Sequence, residues 1–409
     1  MLNTGNTCRS CGHDHLEPVL DLGSTALADR MLHESQLTEP EPTFPLEVVF
    51  CPKCSLMQIL ETVDPILLFD EDYPYFSSFS NYLLEHSKKN VEELIKRRAV
   101  GSDSLVVELA SNDGYLLKNY VEHGIPVLGI DPVPALCEAA EKIGVPSLAE
   151  FFGIELAKKL ASMGKQADII HANNVLAHVA DTNGFVEGIA TLLKPEGMAV
   201  IEFPYVRDLI DHCEFDTIYH EHLCYFSVTS VNHLLRRHNL FLNDVWRLPI
   251  HGGSLRLFIE KAEAPLKSVK RLLNEEKNLG IDHIDYYREF SRQVENLKKD
   301  LITMLHDLKG QGKRIAAYGA AAKGSTMINY VGIGTDLLDF VADKNVHKQG
   351  RYMPGQRIPI VAAEKIAEEQ PDYVLLLPWN LEKEILTQEQ AFRDRGGKFI
   401  IPVPEPRIV

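Results

Sequence analysis

The sequence lacks a long apolar run and an excess of basic residues. No apolar segment approaches the roughly 20 residues that a membrane-spanning helix needs, and no signal peptide precedes Cys8. The 58 acidic residues outnumber the 42 basic ones, for a net charge of −16, which argues against nucleic acid or an anionic membrane surface as a partner. For 409 residues of this composition, we expect a cytoplasmic, monomeric protein of two or three globular domains.

Cysteine is also scarce, and four of the seven cysteines form two CxxC pairs, Cys8 with Cys11 and Cys51 with Cys54. In a reducing compartment such pairs indicate metal binding rather than disulfides. Four thiolates in a tetrahedral array fit structural zinc, because a catalytic zinc keeps an open position and takes histidine or carboxylate ligands. The sequence therefore predicts a zinc-binding domain over residues 1–70, with an extended segment at residues 44–50. The alternatives are four unliganded thiols and a nucleic-acid-binding zinc ribbon, which the acidic charge disfavours.

Glycine is missing where a dinucleotide-binding protein needs it. A buried strand at residues 105–107 leads to Glu108 and a small-residue turn, in which Gly114 is the only glycine. Without GxGxxG, a pyrophosphate cannot approach the backbone closely. The turn instead has the spacing of the acidic-glycine-glycine-glycine motif that binds S-adenosylmethionine, with Glu108, Ala110, Asn112 and Gly114. We interpret it as a site for this phosphate-free donor, over two alternatives: a nicotinamide cofactor and a sheet that binds no cofactor.

Strands and helices alternate through the middle of the chain. Helical patterns separate four strand-like segments, at residues 105–108, 127–130, 168–172 and 198–203. This order is typical of a parallel α/β sheet, whose ligands bind at the carboxyl ends of the strands. Asp131, after the second strand, is therefore a candidate to bind the donor ribose, and Asn173 and Asn174, after the third, are candidate donor contacts. We assign residues 71–262 to a Rossmann-like, S-adenosylmethionine-binding methyltransferase domain.

A phenol, a carboxylate and two imidazoles cluster in one segment, Tyr219-His220-Glu221-His222. The two histidines are two positions apart, whereas zinc proteases place them four apart on a helix, so a metal site is disfavoured. Proton abstraction is the more natural chemistry, with Glu221 or His222 as the general base and Tyr219 as a donor to an oxyanion. His178 either joins these candidate catalytic residues or is a packed helix residue.

A second α/β pattern fills the last third of the chain. After helices at residues 265–309, a strand at 314–318 runs into a turn of small residues. Backbone amides after Gly324, together with Lys323, Ser325 and Thr326, are candidates to bind a diphosphate at a helix N-terminus. The alternative is a tight turn with a surface lysine. We assign residues 263–409 to a second Rossmann-like domain, with a further strand expected at residues 336–341.

The chain resembles, over essentially its whole length, the S-adenosylmethionine-dependent sugar C-methyltransferases of deoxysugar biosynthesis, a family that includes the carbon-3 methyltransferase of the tetronitrose pathway. The motifs that carry the resemblance are, in chain order, the two CxxC pairs, ELASNDGYLL, NNVLAHV, EFPY, TIYHEHLCYFS, HGGSLR and YGAAAKG. The resemblance implies an α/β fold of three domains, which bind zinc, the methyl donor and a nucleotide sugar respectively. It also implies methylation at carbon 3 of a nucleoside-diphosphate-linked 4-keto-deoxysugar.

The resemblance further implies roles for individual residues. By matching motifs, it points to an active site made of Tyr219, Glu221, His222 and His178, with Tyr73 or Tyr75 near the sugar. A ketone beside carbon 3 makes its proton acidic, because the carbonyl oxygen takes up the charge of the enolate. Two alternatives stay open: O- or N-methylation of a nucleotide sugar, and a zinc-containing binding protein with a degenerate methyltransferase fold.

Overall fold

The computed structural model describes residues 7–68 and 77–409, and its strands form three sheets. The predicted fold class is confirmed: a small N-terminal sheet beside the cysteine cluster is followed by two α/β units with mainly parallel sheets. The predicted divisions after residues 70 and 262 stay predictions. Tyr73 and Tyr75 lie outside the described residues. Within the described ranges, no helix combines the length and apolar character needed to cross a bilayer.

The N-terminal part of the chain forms a small antiparallel sheet. Its elements are β1 (Glu17–Thr25), β2 (Phe44–Phe50), β3 (Met57–Ile59) and the short helix α1 (Pro65–Leu68). β2 coincides with the extended segment that the sequence predicted. A fourth strand, Cys224–Tyr225, comes from the middle of the chain and pairs antiparallel with β3. The N-terminal sheet therefore includes residues that directly follow the Tyr219-His220-Glu221-His222 segment.

The middle of the chain forms a seven-stranded sheet. Its strands are β4 (Val106–Leu109), β5 (Val127–Ile130), β6 (Ser147–Leu148), β7 (Ala167–Asn173), β8 (Leu193–Pro204), β10 (Phe241–Leu248) and β11 (Ser254–Glu260), while β9 is Cys224–Tyr225. The strand order is β10-β11-β8-β7-β4-β5-β6, and the strands from β4 to β8 are parallel. The order reverses between β4 and β7, and such a switch point creates the crevice in which doubly wound sheets bind ligands.

Helices cover this sheet at nearly every crossover. They are α2 (Asn81–Arg98), α3 (Lys118–Val121), α4 (Pro134–Lys142), α5 (Ile154–Ser162), α6 (Thr182–Leu192), α7 (Val206–Asp211) and α8 (Val228–Arg237). All four strands predicted in this region are present. The strand cores are near-continuous apolar runs, as expected for strands buried on both faces, and β4 and β5 are buried along their whole lengths.

Two helices, α9 (Lys267–Leu279) and α10 (Ile284–Gly310), lead to the C-terminal unit. Its elements are β12 (Ile315–Tyr318), α11 (Ala322–Val331), β13 (Val341–Asp343), β14 (Ile360–Ala362), α12 (Lys365–Glu369), β15 (Tyr373–Leu376), α13 (Glu382–Gln388), α14 (Gln390–Asp394), β16 (Lys398–Ile401) and β17 (Arg407–Ile408). The sheet order is β14-β13-β12-β15-β16-β17. The strand expected at residues 336–341 was wrong. Leu337 and Leu338 are buried in a turn whose amides bond to the Gly334 carbonyl, so burial produced the apolar pattern without a strand.

Candidate active site

A cavity of about 240 Å³ lies at the carboxyl ends of β4, β5 and β7. The rule for ligands of parallel sheets predicts this edge. Six residues singled out from the sequence line the cavity: Ala110, Asn112, Asp131, Asn173, Asn174 and His178. Glu108 and Gly114 are not among its lining residues. The structure thus brings donor candidates from three strands, and one candidate catalytic histidine, to one concave site.

The turn after β4 keeps a left-handed backbone at the positions where the motif has lost glycine. Ala110 and Asn112 have φ angles of 56° and 50°, and Gly114 has 77°. Asparagine visits this region more readily than alanine, for which it costs roughly 1–2 kcal/mol. A Cβ on Gly114 would lie 3.1 Å from Ala140 and 3.2 Å from Val145, so Gly114 permits close packing behind the cavity. The backbone geometry of the motif is therefore retained although two glycines are replaced.

Asp131 is buried just after β5, and both of its carboxylate oxygens accept backbone hydrogen bonds. Oδ2 accepts from the Asn112 amide at 2.9 Å, and Oδ1 accepts from the Val133 amide at 3.0 Å. Burial raises the pKa of Asp131, and these two hydrogen bonds oppose the rise. Each oxygen keeps a further lone pair. The carboxylate is therefore fixed in position and can still accept hydrogen bonds from ribose hydroxyls.

Two side-chain oxygens in the cavity wall are available to a hydrogen-bond donor. The Oδ1 atoms of Asn173 and Asn174 are buried and have no hydrogen-bond partner among residues 7–68 and 77–409. A buried acceptor without a partner costs roughly 1–3 kcal/mol, which a bound ligand with donor groups would offset. S-adenosylmethionine carries an ammonium group and ribose hydroxyls, so its chemistry fits these acceptors.

Glu108 lies on β4, two residues before the cavity-lining Ala110, and is fully buried. Neither of its carboxylate oxygens has a hydrogen-bond partner in the described part of the chain. Burial, followed by the charges of Asp131 and Asp113, raises the pKa of Glu108 well above its ordinary value. Burial therefore favours the neutral carboxylic acid form of Glu108, which can donate a hydrogen bond as well as accept one.

Residues 219–222 form a tight turn, in which the His222 amide donates to the Tyr219 carbonyl at 2.8 Å. The His222 Nδ1 atom lies 2.7 Å from the Thr217 carbonyl and so carries the proton, which leaves Nε2 as the basic nitrogen. The Tyr219 hydroxyl lies 3.1 Å from this Nε2. Burial, with a smaller contribution from Lys323, lowers the pKa of His222 to about 4. The imidazole is therefore neutral at pH 7 and able to accept a proton.

His178 connects this turn to the cavity. It lines the cavity, and its ring stands edge-on to the His222 ring with 4.8 Å between centroids. It ends a short helical turn, Leu176–His178, rather than lying within a long helix. Burial lowers the pKa of His178 to about 3. Two neutral imidazoles therefore lie side by side at the edge of the cavity.

Glu221 and His220 face other parts of the chain. The His220 Nε2 atom lies 3.1 and 3.2 Å from two carbonyl groups at the start of β2. Glu221 is buried, and its charged neighbours are Asp29 from the N-terminal region and Lys348 from the C-terminal region. Burial, followed by the charge of Asp29, raises the pKa of Glu221 well above its ordinary value, against the influence of Lys348. The turn is thus attached to all three parts of the protein.

Lys323 and Gly324 lie in the first turn of α11, after β12. The Lys323 ammonium lies 4.1 Å from the centre of the Trp379 ring. No carboxylate of the described residues is within ion-pair distance of it. A Cβ on Gly324 would lie 2.9 Å from Leu377, so glycine lets the helix start pack closely on the strand end. Lys323 is half-buried and its charge is available to an anionic ligand.

The hydroxyls of Ser325 and Thr326 are engaged in contacts between regions of the chain. Ser325 Oγ donates to the Ala28 carbonyl at 2.7 Å, and Thr326 Oγ1 donates to the Ile218 carbonyl at 3.3 Å. Both residues are buried. These two hydroxyls therefore hold α11 against the N-terminal region and against the segment that precedes Tyr219. The polar groups of this turn that remain open to a ligand are Lys323 and the backbone amides at the start of α11.

The four N-terminal cysteines converge on one point. The Sγ atoms of Cys8 and Cys54 are 3.4 Å apart, those of Cys11 and Cys51 are 3.6 Å apart, and all four lie within 4.8 Å of one another. Zinc–sulfur bonds of about 2.3 Å in a tetrahedron place the sulfurs roughly 3.8 Å apart. All four residues are free thiols. The cluster therefore fits a zinc ion with a complete set of four protein ligands.

Sequence reasoning missed one strand end at the cavity. β6 has only two residues, and Glu150, Phe151 and Phe152, which follow it, line the cavity. The alternation of strands and helices is the signal that could have found them, because every parallel strand of the sheet ends at the same edge. Phe151 is 56% exposed, which is unusual for a phenylalanine and expected of a wall that a ligand covers.

Family models match three consecutive parts of the chain. A zinc binding domain matches residues 8–69, a methyltransferase domain matches residues 82–243, and a C-methyltransferase C-terminal domain matches residues 249–404. The cysteine cluster and the Lys323 turn each fall within one of these matches, and most residues that line the cavity fall within the methyltransferase match. The models therefore account for nearly the whole chain, in the order expected from the motifs.

One relative matches nearly the full chain, whereas two others match only part of it. The C-methyltransferase NovU of Streptomyces niveus is 36% identical over 405 residues, which cover 98% of this chain and 96% of NovU. The ubiquinone biosynthesis O-methyltransferase of Bartonella bacilliformis is 31% identical over 97 residues, 24% of this chain and 39% of that protein. The crystal structure of magnesium protoporphyrin IX methyltransferase from Synechocystis PCC 6803 is 13% identical, covers 44% of this chain and 82% of that chain, and has a TM-score of 0.33. The full-length match to NovU and the C-methyltransferase C-terminal domain show that this chain belongs to the C-methyltransferase family.

Proposed function

We propose that the protein is an S-adenosylmethionine-dependent C-methyltransferase that acts at carbon 3 of a nucleoside-diphosphate-linked 4-keto-deoxysugar through an enolate. One observation carries this proposal: His178 lines the donor cavity and stacks edge-on against His222, with 4.8 Å between ring centroids. A neutral base thus stands beside the cavity proposed for the methyl donor. Family membership supports transfer of the methyl group to carbon.

His222 is the proposed base. The Thr217 carbonyl fixes its tautomer, so Nε2 is the basic nitrogen. The Tyr219 hydroxyl donates to this nitrogen at 3.1 Å and is proposed to turn to the substrate oxygen when the sugar binds. This nitrogen takes the proton from carbon 3, and the electron pair of the broken C–H bond becomes the carbon–carbon double bond of the enolate. The carbonyl oxygen then carries the negative charge, which Tyr219 and His178 stabilise as hydrogen-bond donors. The bound donor, S-adenosylmethionine, supplies an electrophilic methyl group that carbon 3 takes while the electron pair of the C–S bond stays on sulfur.

Glu221 is the weaker candidate for the base. Its raised pKa favours the protonated form, which is a poorer base, and its charged neighbours come from the N- and C-terminal regions rather than from the cavity. We propose that it positions the turn or contacts the sugar. Tyr73 or Tyr75, outside the described residues, is proposed to contact the sugar as well.

The remaining candidate residues bind the donor and the nucleotide. Asp131 is proposed to accept hydrogen bonds from the ribose, and Asn173 and Asn174 from the ammonium group, while Asn112 and Gly114 shape the turn. Glu108 and Ala110 support the same site. Lys323, with the amides that start α11, is proposed to hold the diphosphate. Ser325, Thr326 and Gly324 hold this helix start in place, and zinc bound by the four cysteines is proposed to be structural.

Deuterium exchange tests the proposal directly. In heavy water, with S-adenosylhomocysteine in place of the donor, the wild type should exchange the proton at carbon 3 of a 4-keto-6-deoxyglucose carried by thymidine, uridine or guanosine diphosphate. NMR distinguishes exchange at carbon 3 from exchange at carbon 5, the other carbon beside the ketone. His222→Asn should suppress the exchange by about 10²–10⁴-fold, the usual contribution of a general base.

A matched control is His306→Asn, which changes an exposed histidine on α10 and should leave exchange unchanged. Exchange at the wild-type rate in both His222→Asn and Glu221→Gln would remove the turn from proton abstraction. Methylation of the sugar without any exchange in the wild type would favour O- or N-methylation instead.

A further inference from the structure

The HGGSLR motif begins with a turn of one histidine and two glycines. The backbone conformation of this turn is unfavourable at the histidine. His251, Gly252 and Gly253 have φ angles of 56°, 88° and 136°. Glycine adopts positive φ freely, whereas a histidine with φ near 56° is held in a conformation that few side chains adopt. Such outliers persist only when the surrounding structure enforces them, and they cluster at functional sites. None of the roles proposed above involves this motif.

The turn lies at the ligand-binding edge of the central sheet. It joins β10 to β11, and Ser254, the first residue of β11, is paired with Pro204 at the carboxyl end of β8. The Tyr205 amide donates to the Gly253 carbonyl at 2.9 Å. The turn thus lies just beyond the end of β8, at the same edge where β4, β5 and β7 present the cavity residues.

Two buried carboxylates pack against the two glycines of this turn. A Cβ on Gly252 would overlap the Glu214 carboxylate, and a Cβ on Gly253 would overlap the Asp208 carboxylate. Asp208 is in turn paired with Arg247 on β10. Neither glycine can be replaced without moving a carboxylate, so both glycines are needed for the turn to pack against Glu214 and Asp208.

His251 lies close enough to the candidate base His222 and to Lys323 for their charges to interact. Its side chain is accessible to solvent, and its ring makes no hydrogen bond to any described residue. The protein atoms packed around the ring lower the pKa of its imidazole. Glu202 opposes this shift, Lys323 adds to it, and His251 in turn contributes to the lowered pKa of His222. A neutral imidazole with no hydrogen bond to the described residues therefore lies near both Lys323 and the candidate base His222.

We propose that His251 is a catalytic residue that donates a hydrogen bond from its neutral imidazole to the ketone oxygen of the sugar. This inference rests on the proposed function and adds a residue to its active site. As His222 removes the proton from carbon 3, the oxygen gains the negative charge, and the His251 N–H stays on nitrogen while its bond to that oxygen strengthens. A neutral histidine suits this role, because it polarises a carbonyl without transferring its proton.

The position of His251 permits an unusual test. His251→Gly removes the imidazole and also relieves the unfavourable φ, so the melting midpoint should stay constant or rise. The exchange of deuterium into the thymidine-diphosphate-linked 4-keto-6-deoxyglucose should fall by about 10²–10³-fold, the usual loss for one oxyanion donor. Affinity for S-adenosylhomocysteine, measured by calorimetry, should not change. His251→Asn, which keeps an N–H donor and tolerates positive φ, should recover part of the rate.

Gln370→Gly is the matched control. Gln370 is exposed, follows α12 in the C-terminal unit, does not line the cavity, and has a φ of 45°, so its replacement should raise the melting midpoint without slowing exchange. Wild-type exchange in His251→Gly would overturn the inference. Loss of exchange together with a lower midpoint and weaker S-adenosylhomocysteine binding would also overturn it, by showing a structural role. A wild type that exchanges no proton on any sugar of the panel would overturn the proposed function itself.

Discussion

The Glu214 carboxylate packs against the turn that begins at His251. Its ionisation should make the stability of the protein depend on pH. Its side chain is only 5% exposed. Burial raises the pKa of Glu214 to about 7, from an ordinary value of 4.5, against the opposing charge of Lys323. Because the folded-state pKa is the higher one, the folded protein is favoured at low pH. This contribution is complete below pH 4.5 and is lost as the pH rises through 7.

The size of the effect follows from the two pKa values. At about 1.36 kcal/mol per pKa unit, the higher pKa of Glu214 in the folded state lowers the free energy of unfolding by about 3 kcal/mol at pH 8 and by about 1 kcal/mol at pH 5, because the unfolded chain ionises more readily. Glu214→Gln has nearly the same shape and cannot ionise. Relative to the wild type, the free energy of unfolding of this variant should therefore rise by about 2 to 3 kcal/mol between pH 5 and pH 8.

Urea unfolding at the two pH values measures this difference. The two tryptophans, Trp246 on β10 and Trp379 near Lys323, report on the middle and C-terminal regions by fluorescence. Glu155→Gln is the control, because the Glu155 side chain is 86% exposed and its loss should not alter the pH dependence. If the stability of Glu214→Gln relative to the wild type is the same at pH 5 and pH 8, burial does not raise the pKa of Glu214 in the way argued here.

Two further predictions concern the bound groups. Cys51→Ser should lower the zinc content, measured by atomic absorption, and the melting midpoint together; a midpoint that stays constant while zinc is lost would contradict a structural metal. Asp131→Asn should weaken S-adenosylhomocysteine binding by about 1–3 kcal/mol, the cost of a lost charged hydrogen bond, as measured by calorimetry. Asparagine keeps an acceptor for one of the two backbone amides that Asp131 holds, so it disturbs the fold less than alanine. Unchanged affinity would mean that the donor ribose binds elsewhere.

The sequence was sufficient to predict four strands of the central sheet, β4, β5, β7 and β8, and the edge of that sheet that carries the cavity. Both follow from local patterns: apolar runs mark strands buried on two faces, and polar or small residues mark their carboxyl ends. The backbone of the turn after β4 was predictable for the same reason. Ala110 and Asn112 occupy glycine positions of a motif, and the structure gives them the positive φ that glycine would adopt.

The contacts between distant parts of the chain were not predictable in this way. His220 bonds to carbonyls about 175 residues earlier, and Ser325 bonds to Ala28 across 297 residues. No local periodicity encodes such pairs. The sequence therefore cannot distinguish a serine hydroxyl that binds a phosphate from one that donates a hydrogen bond to a distant backbone carbonyl. The strand expected at residues 336–341 failed for a related reason, because two buried leucines satisfy an apolar pattern whether they lie in a strand or in a turn.

The long-range contacts also connect the small N-terminal sheet, beside the cysteine cluster, to the candidate active site. Leu223, directly after His222, receives a hydrogen bond from the Ile59 amide of β3 at 3.1 Å and donates one to the Ala177 carbonyl at 2.7 Å. One residue thus joins the N-terminal sheet to the helical turn that carries His178, and β9 continues the pairing with β3. Since the cysteine cluster holds the N-terminal region together, zinc would set the distance between His222 and the donor cavity without touching either. A zinc-depleted protein should therefore lose proton exchange in parallel with its melting midpoint.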